Sequence, residues 1–326
     1  MRWGIMATGN IAAKFAGTVS AMKDAAETIV AVGSRDADKS AAFAREYGIA
    51  KAYGSYEELA ADPQVEAVYI ATPNNYHFEN TMLCLKAGKH VLCDKTFTTT
   101  AGEAQRLYQE ADARGLFVME AFWIRFLPLF EKLKEIIAAK EYGELRHARC
   151  DYGFIARGAR RERKFRSELG GGALLDIGIY NLGFLYMVMG ELPDSFTSEV
   201  HFNEFGTDEF SALQLCFPGG RTAHSVQSIG LLMERQAALY FERATIYLPD
   251  FQGAFVMTVK PVEGESYTVE CPPEVNGFEY EIREVTKCVR NGQTHSEVFT
   301  PKDSVAVLGL LDEIRKSWDM KFSFEQ

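Results

Sequence analysis

The apolar positions change their period partway along the chain. Over the first 120 residues, short β-branched runs alternate with stretches of helical period. Arg2–Met6 reads as a strand, followed by a small-residue turn at Ala7–Gly9 and a helix from about Asn10. "TIVAVG" (Thr28–Gly33) is a second strand, and Asp38–Tyr47 a helix closed by Gly48. Ser55 and Glu58 stand in capping-box spacing at the head of Ser55–Ala61, ahead of the β-rich run "VEAVYIA" (Val65–Ala71). A helix from about His77 to Lys86, closed by Gly88, leads to the strand "HVLC" (His90–Cys93). Thr100 and Glu103 then open a helix that ends at Gly115. Such alternation with short connections predicts a doubly wound parallel sheet with helices on both faces, over residues 1–120.

Beyond residue 120 the pattern changes. Pro128 suits a first helical turn, and Leu129, Leu133, Ile136 and Ile137 make one apolar face. From Leu145 the segments look extended: "LRHARCDYGF", "FSALQLCF", "RTAHSVQSI", "RQAALYFERATIYL" and "FVMTVKPV", separated by turn signals such as Pro218-Gly219-Gly220. In "FSALQLCF", Leu213, Leu215 and Phe217 share one face of the pleat. The expectation for 121–326 is an α/β domain on a large, mostly antiparallel open sheet, one face against helices. The other face is then solvated or covered by a second copy, which predicts a homodimer. The segment Asp303–Trp318 returns to helical period.

Composition narrows the partners. A net charge of −10 and the lack of any Lys/Arg-rich run argue against nucleic acid or an anionic membrane surface. The six cysteines (84, 93, 150, 216, 271, 288) form no C-x-x-C pair and no metal-ligand spacing, so no metal is expected and the thiols read as free, in a reducing compartment. The N-terminus shows no basic region, apolar core and cleavage site of a leader. One candidate span, Ala173–Met189, is shorter than the ~20 residues a membrane requires, and Asp176 inside it costs roughly 2.5–3.5 kcal/mol to insert. A cytoplasmic protein acting on a small molecule is expected.

Two stretches carry candidate chemistry. "GIMATGNIA" follows the first strand and reads Ala7-x-Gly9-x-x-Ala12 on a G-x-G-x-x-G fingerprint, with Gly9 letting a pyrophosphate approach the backbone of Asn10 and Ile11. Alanine at 7 predicts a turn confined to negative φ. The second strand ends "GSRD": Ser34 and Arg35 suit a 2′-phosphate, where an NAD site usually ends in a carboxylate, although Asp36 or Asp38 capping the next helix is the plainer reading of that turn. Further on, "GGGALLDIGIYNLG" (170–183) buries Asp176 and Tyr180 in an oily run, four residues apart on one helical face. Taken alone, these two read first as a helix cap with a core tyrosine, and second as one wall of a cleft where protons move.

Three more stretches, "ATPNNYH" (Ala71–His77), "CDKTFT" (Cys93–Thr98) and "EAFWIRFLP" (Glu120–Pro128), stand in order with "GGGALLDIGIY". With these motifs the chain resembles the glucose-fructose oxidoreductase/inositol dehydrogenase (Gfo/Idh/MocA) family over nearly its whole length. "EAFWIRFLP" and tyrosine rather than histidine at 180 resemble its dimeric dihydrodiol dehydrogenase and D-xylose dehydrogenase branch. The resemblance implies a Rossmann domain, a C-terminal α/β domain that serves substrate binding and oligomerisation, and NAD(P)-dependent redox chemistry at a sugar or diol carbon. It implies Lys95 as the catalytic-site lysine, Tyr180 as the proton donor and Asp176 as its acidic partner. Thr72, Pro73, Asn74 and His77 match the loop along the cofactor, Asp94 and Lys95 the next loop, and Trp123 and Arg125 the segment between cofactor and substrate. Most members carry Glu-Lys-Pro where this chain has Asp94-Lys95-Thr96. A cis bond before threonine costs ~2.5–4 kcal/mol, so the loop after Lys95 is expected to take another path.

Oxidising an alcohol requires a hydride acceptor and a base for the hydroxyl proton. A free phenol, with a pKa of about 10, is a poor base, but a nearby ammonium such as that of Lys95 stabilises its phenolate. The expected activity is an NADP-dependent oxidoreductase acting on a monosaccharide, keto-sugar or cyclic trans-diol. The rival readings are an NAD-preferring inositol-type dehydrogenase and a catalytically silent dinucleotide sensor. His147, His201, His224 and His295 read as structural or surface residues. Arg157, Arg160, Arg161, Arg163, Lys164 and Arg166 read as a solvated flap.

Overall fold

The computed structural model describes residues 1–23 and 26–325. The chain divides into two compact units, Met1–Phe126 with Glu274–Val305, and Leu127–Pro273 with Ala306–Gln326. In the first, the elements are β1 (Arg2–Met6), α1 (Asn10–Ala21), β2 (Thr28–Gly33), α2 (Ala37–Tyr47), β3 (Lys51–Tyr53), α3 (Tyr56–Ala61), β4 (Ala67–Ile70), α4 (His77–Lys86), β5 (His90–Asp94), α5 (Ala101–Arg114) and β6 (Val118–Ala121). Among the described residues the strands form one parallel sheet in the order β3-β2-β1-β4-β5-β6. The helices start where the capping chemistry says they should. Asp36 accepts from the N–H groups of Asp38 and Lys39, Ser55 from that of Glu58 and Thr100 from that of Glu103. Gly48 and Gly115 close α2 and α5 in the left-handed conformation. Phe15 of α1 stacks on Tyr69 of β4 at 4.1 Å, and both are fully buried. Strands β3 and β6 carry too few residues to show a period.

In the second unit, α6 (Pro128–Ala139), with Pro128 in its first turn, leads to β7 (Leu145–Gly153), α7 (Ala159–Phe165) and α8 (Ile179–Met189). Ile136 and Ile137, read with Leu129 and Leu133 as one apolar face of α6, are only partly buried. Then follow β8 (Ser195–Phe202), β9 (Asp208–Phe217), β10 (Arg221–Ser228), β11 (Gln236–Phe241), β12 (Ala244–Leu248), β13 (Val256–Pro261) and β14 (Tyr267–Glu270). Among the described residues they make an eight-stranded sheet, antiparallel except where β7 runs beside β10. "RQAALYFERATIYL", one extended run in the sequence, is a hairpin that turns at Glu242–Arg243. Leu213, Leu215 and Phe217 do share the buried face of β9, with Gln214 and Cys216 exposed between them.

The last helices are α9 (Phe278–Arg290) and α10 (Pro301–Ser317). The segment 274–305, which the sequence left with the second domain, belongs to the first unit. Val118 N–H donates to Thr294 O (3.1 Å), Arg125 Nε to Val298 O (2.9 Å), and Phe122 stacks on Phe299 at 5.2 Å. Local pattern cannot reveal such a return, because each partner is more than 170 residues away along the chain.

The apolar candidate span is a core helix. The run Ser167–Met189 is mostly buried within the protein. The amide nitrogen of Asn181 inside it lies 3.1 Å from each of Ser225 Oγ, Val226 O and Gln227 Oε1, so its N–H donors are satisfied from the sheet beneath. At the head of this run Leu174–Gly178 is a single π-helical turn that passes directly into α8. Its first N–H groups are not capped by Asp176. Leu174 N–H donates instead to Asp208 Oδ2 at 2.7 Å, from the fully buried Asp208 at the start of β9. A Cβ on Gly172, whose φ is 116°, would collide with the other oxygen of that carboxyl.

Two predictions follow from these backbone and burial facts. Ala7 does not keep to negative φ: it sits at φ 91°, because its N–H must reach Gly33 O (2.9 Å) as the chain leaves β1. A non-glycine residue there stores about 1–3 kcal/mol, against ~0.5–1 kcal/mol of extra chain entropy for glycine. Ala7→Gly should therefore raise the thermal midpoint by about 2–4 °C for each kcal/mol gained, read by calorimetry; a fall would refute the strain. The second concerns Asp208, whose carboxyl is pushed up to about 7 by burial, against its hydrogen bond from Leu174. Because the native state holds this proton more tightly than the unfolded chain, the contribution is full below about pH 4 and lost as pH rises through about 7. Urea midpoints should fall between pH 5 and 7.5 in the wild type, and fall less in Asp208→Asn. Equal slopes in the two proteins would remove Asp208 as the cause.

Candidate active site

In the first unit the strand order reverses between β1 and β4, and the loops after these strands leave in opposite directions at the carboxyl edge. Such a crevice is where open parallel sheets bind ligands. Gly9 ends the first loop as the residue before α1, in extended conformation (φ −82°, ψ −179°). A Cβ there would meet nothing within 4 Å, so protein packing does not demand glycine at this position. Among the described residues α1 has neither a side-chain cap nor an acidic residue in its first turn, in contrast to α2, α3 and α5. Its first amides, those of Asn10 and Ile11 among them, are a ready anion site.

The end of β2 distributes its polar groups clearly. Asp36 is spent on the N–H groups of α2, with its carboxyl held below the usual range by those bonds and by Lys39. Arg35 beside it is exposed, its guanidinium 5.2 Å from the Tyr76 ring and adjacent to Tyr56. Ser34 is buried, and its hydroxyl accepts from Asp36 N–H at 3.3 Å.

After β4, Thr72 is buried with Oγ1 accepting from Asn80 (3.0 Å), and Pro73 leads into a 3-10 turn at Asn74–Tyr76. His77 is not the cofactor contact expected of it. It is fully buried, with Nδ1 2.7 Å from Thr96 O and Nε2 2.7 Å from Thr72 O, so neither ring nitrogen is left for a ligand. Burial pulls its pKa below the usual histidine value, while Asp94 and the two carbonyl oxygens favour the protonated ring.

Asp94 ends β5, and Asp94 and Lys95 are both half-buried at its carboxyl edge. The Lys95–Thr96 peptide is cis. Thr96 and Phe97 are fully buried. Glu120 in β6, paired beside Cys93, accepts from Phe97 N–H (3.1 Å) and Ser304 Oγ (2.5 Å). Burial pushes the Glu120 carboxyl up to about 7, against Ser304, Phe97 and Lys95, which draw it down. The sequence quoted Glu120 only as part of a motif; its role lies in contacts that spacing does not encode. Trp123 is buried against Phe278 of α9, with Lys14 Nζ 4.5 Å from its ring. Arg125 donates through Nε to Val298 O, while its buried Nη1 has no hydrogen-bond partner among the described residues. The same holds for Asn75 Oδ1 in the loop after β4. These two orphaned atoms, the unclaimed N-terminus of α1 and the open flank of Gly9 fit a dinucleotide.

Asp176 and Tyr180 belong to the second unit. Asp176, in the π-turn, forms an ion pair with Lys164 of α7, so the presumed solvated flap is a short helix that turns one lysine inward. Lys164 and Asp176 side chains are only 9% and 16% exposed. Tyr180 is 5% exposed, with its ring 6.4 Å from that of Tyr152 in β7. Burial and Asp176 together push the Tyr152 phenol up to about 12. The acid and the phenol thus share Tyr152 as a neighbour, a residue no motif marked. His147 binds Thr222 Oγ1 at 2.8 Å on the open sheet face, where His224 is exposed.

The chain is similar to known proteins over nearly its whole length. The model of an oxidoreductase family with an NAD-binding Rossmann fold matches residues 1–122, and that of a GFO/IDH/MocA C-terminal domain matches residues 130–247. Trans-1,2-dihydrobenzene-1,2-diol dehydrogenases of Mus musculus and Homo sapiens are each 35% identical to the chain, covering 99% of it and 98% of their own length. The crystal structure of KijD10, a 3-ketoreductase from Actinomadura kijaniata, in complex with NADP and TDP-benzene superposes with a TM-score of 0.87. It covers 97% of both chains at 23% identity. The chain belongs to the Gfo/Idh/MocA family of oxidoreductases.

Proposed function

We propose that the protein is an NADP-dependent oxidoreductase acting on a carbon of a monosaccharide, keto-sugar or cyclic trans-diol. The observation that carries this reading is the edge of the parallel sheet, where the unclaimed N-terminus of α1 and the loop after β4 flank the switch point, one strand away from Lys95. The dihydrodiol dehydrogenase relatives, alike over nearly the full length, support a diol or sugar alcohol as substrate. Asn10, Ile11, Thr72, Pro73, Asn74, Trp123 and Arg125 would hold the dinucleotide. When bound, it supplies the hydride acceptor or donor. What supports NADP over NAD is the end of β2: Asp36 caps α2 and Arg35 stands exposed beside it, a cation suited to a 2′-phosphate.

In this reading Tyr180 takes the substrate's hydroxyl proton in oxidation and returns it in reduction. Lys95 is the second catalytic residue of this reading, its ammonium suited to donate a hydrogen bond to the reacting oxygen. Asp176, held by Lys164, is the acidic partner that orients the substrate against Tyr180. We further infer a cytoplasmic homodimer. Six free cysteines support a reducing compartment, and the sheet face carrying Gln214, Cys216 and His224 supports pairing of two copies.

Fluorescence titration should give tighter binding of NADPH than NADH, with Arg35→Ala removing about 10–100-fold of that preference, the worth of one charge-assisted contact. In a nicotinamide-absorbance screen of aldoses, keto-sugars and trans-diols, Tyr180→Phe should lower kcat by roughly 10²–10⁴-fold. Stronger NADH binding would overturn the NADP assignment. Full activity in Tyr180→Phe would overturn the proton transfer, and binding without turnover on any substrate would make the protein a sensor.

A further inference from the structure

The buried hydrogen bonds around Lys95 converge on one peptide group. His77 Nδ1 lies 2.7 Å from Thr96 O, and Glu120 Oε1 accepts from Phe97 N–H at 3.1 Å. The Thr96 carbonyl and the Phe97 N–H are the two polar ends of the same peptide, the one that follows the Lys95–Thr96 bond. His77 begins α4, after β4, and Glu120 sits in β6, so the grip comes from the strands on either side of β5. Both side chains are fully buried, and neither touches solvent. We propose that His77 and Glu120 are positioning residues for Lys95, gripping the Thr96–Phe97 peptide at both ends so that the lysine's main chain holds one direction. The inference rests on the reading of Lys95 as a catalytic residue.

The two ends of the grip support one another. A carboxylate accepting from the N–H polarises the peptide and makes its carbonyl a better acceptor for the imidazole. Beyond the grip, each residue is tied into a further loop. His77 Nε2 lies 2.7 Å from Thr72 O, in the loop after β4, and Glu120 Oε2 accepts from Ser304 Oγ of α10 at 2.5 Å. The lysine loop and the loop after β4 are thereby fastened to the same ring. Neither carbonyl can donate, so the neutral ring that burial favours donates to the oxygen facing whichever nitrogen carries its proton. These groups cost free energy to bury, and apolar residues would fill the same space more cheaply. Their geometry matches a demand for direction rather than for stability. A lysine on a long flexible stem adds its own disorder, and a main chain that wanders by 1 Å is expected to cost about 10²-fold in rate.

The test uses full-length protein. Glu120→Leu leaves the Phe97 N–H without its acceptor, and kcat should fall about 10²-fold while the KM for NADPH stays within a factor of about three. Glu120→Gln keeps an acceptor for Phe97 and a donor for Ser304, and should recover most of that loss. If Glu120→Leu does not fold, Glu120→Asp, one methylene too short to reach, takes its place. Independently of activity, amide exchange at Phe97 should quicken at least ten-fold in the Leu or Asp variant and return toward wild type in Gln. A folded Leu or Asp variant with unchanged Phe97 exchange, or with wild-type kcat when Lys95→Ala is inactive, overturns the grip. If Lys95→Ala itself turns over normally, the catalytic reading of Lys95 fails instead, while Phe97 exchange still decides whether the peptide is gripped.

Discussion

Six strands that all run the same way impose the constraint from which the rest of the first unit follows. Each parallel neighbour must be reached by a crossover, so every strand end of the same sense arrives at one edge of the sheet. The loops after β1, β4, β5 and β6 accordingly gather there, and they carry Gly9, Thr72, Lys95 and Trp123. The reversal of strand order between β1 and β4 opens the crevice, and the helix that leaves it first has neither a side-chain cap nor an acidic residue in its first turn. Chemistry-bearing residues scattered over 120 positions become neighbours because of strand direction alone.

Buried polar groups are the counterpart of that arrangement. His77 and Glu120 are fully enclosed and hydrogen-bonded to backbone, as is Asp208 beneath the glycine loop of the second unit. Each sits where a backbone segment must hold a shape that regular secondary structure does not supply: the residues after Lys95 in one case, the turn at 172–174 in the other. Burial raises both carboxyls to about 7, the expected result of taking a charge out of water. The second unit treats its acid and phenol differently. Asp176 gains a cation, Lys164, and Tyr180 is nearly enclosed within α8, with the Tyr152 ring as a neighbour.

Ala7 shows how tertiary contacts can hold a residue in a backbone conformation that its own type disfavours. Alanine favours negative φ, yet the hydrogen bond to Gly33 and the register of β1 with β4 hold it at 91°. A tertiary hydrogen bond overrides local preference there because fixed groups act on one short segment.

The sequence by itself determined the alternation of strand and helix over the first 120 residues, the capped helix ends there and the class of chemistry. Those signals are local: Ser55, Thr100, Gly48 and Gly115 act within a few residues of their own backbone, and the ordered motifs carry the family. What only tertiary structure decided was the work of residues whose partners are distant in the chain. His77 became a strut rather than a ligand contact, Glu120 an anchor for the lysine loop, Lys164 the partner of Asp176, and 274–305 a part of the first unit. A side chain's hydrogen bonds depend on which strands lie beside it, and strand order is a property of the whole sheet that no window of sequence contains.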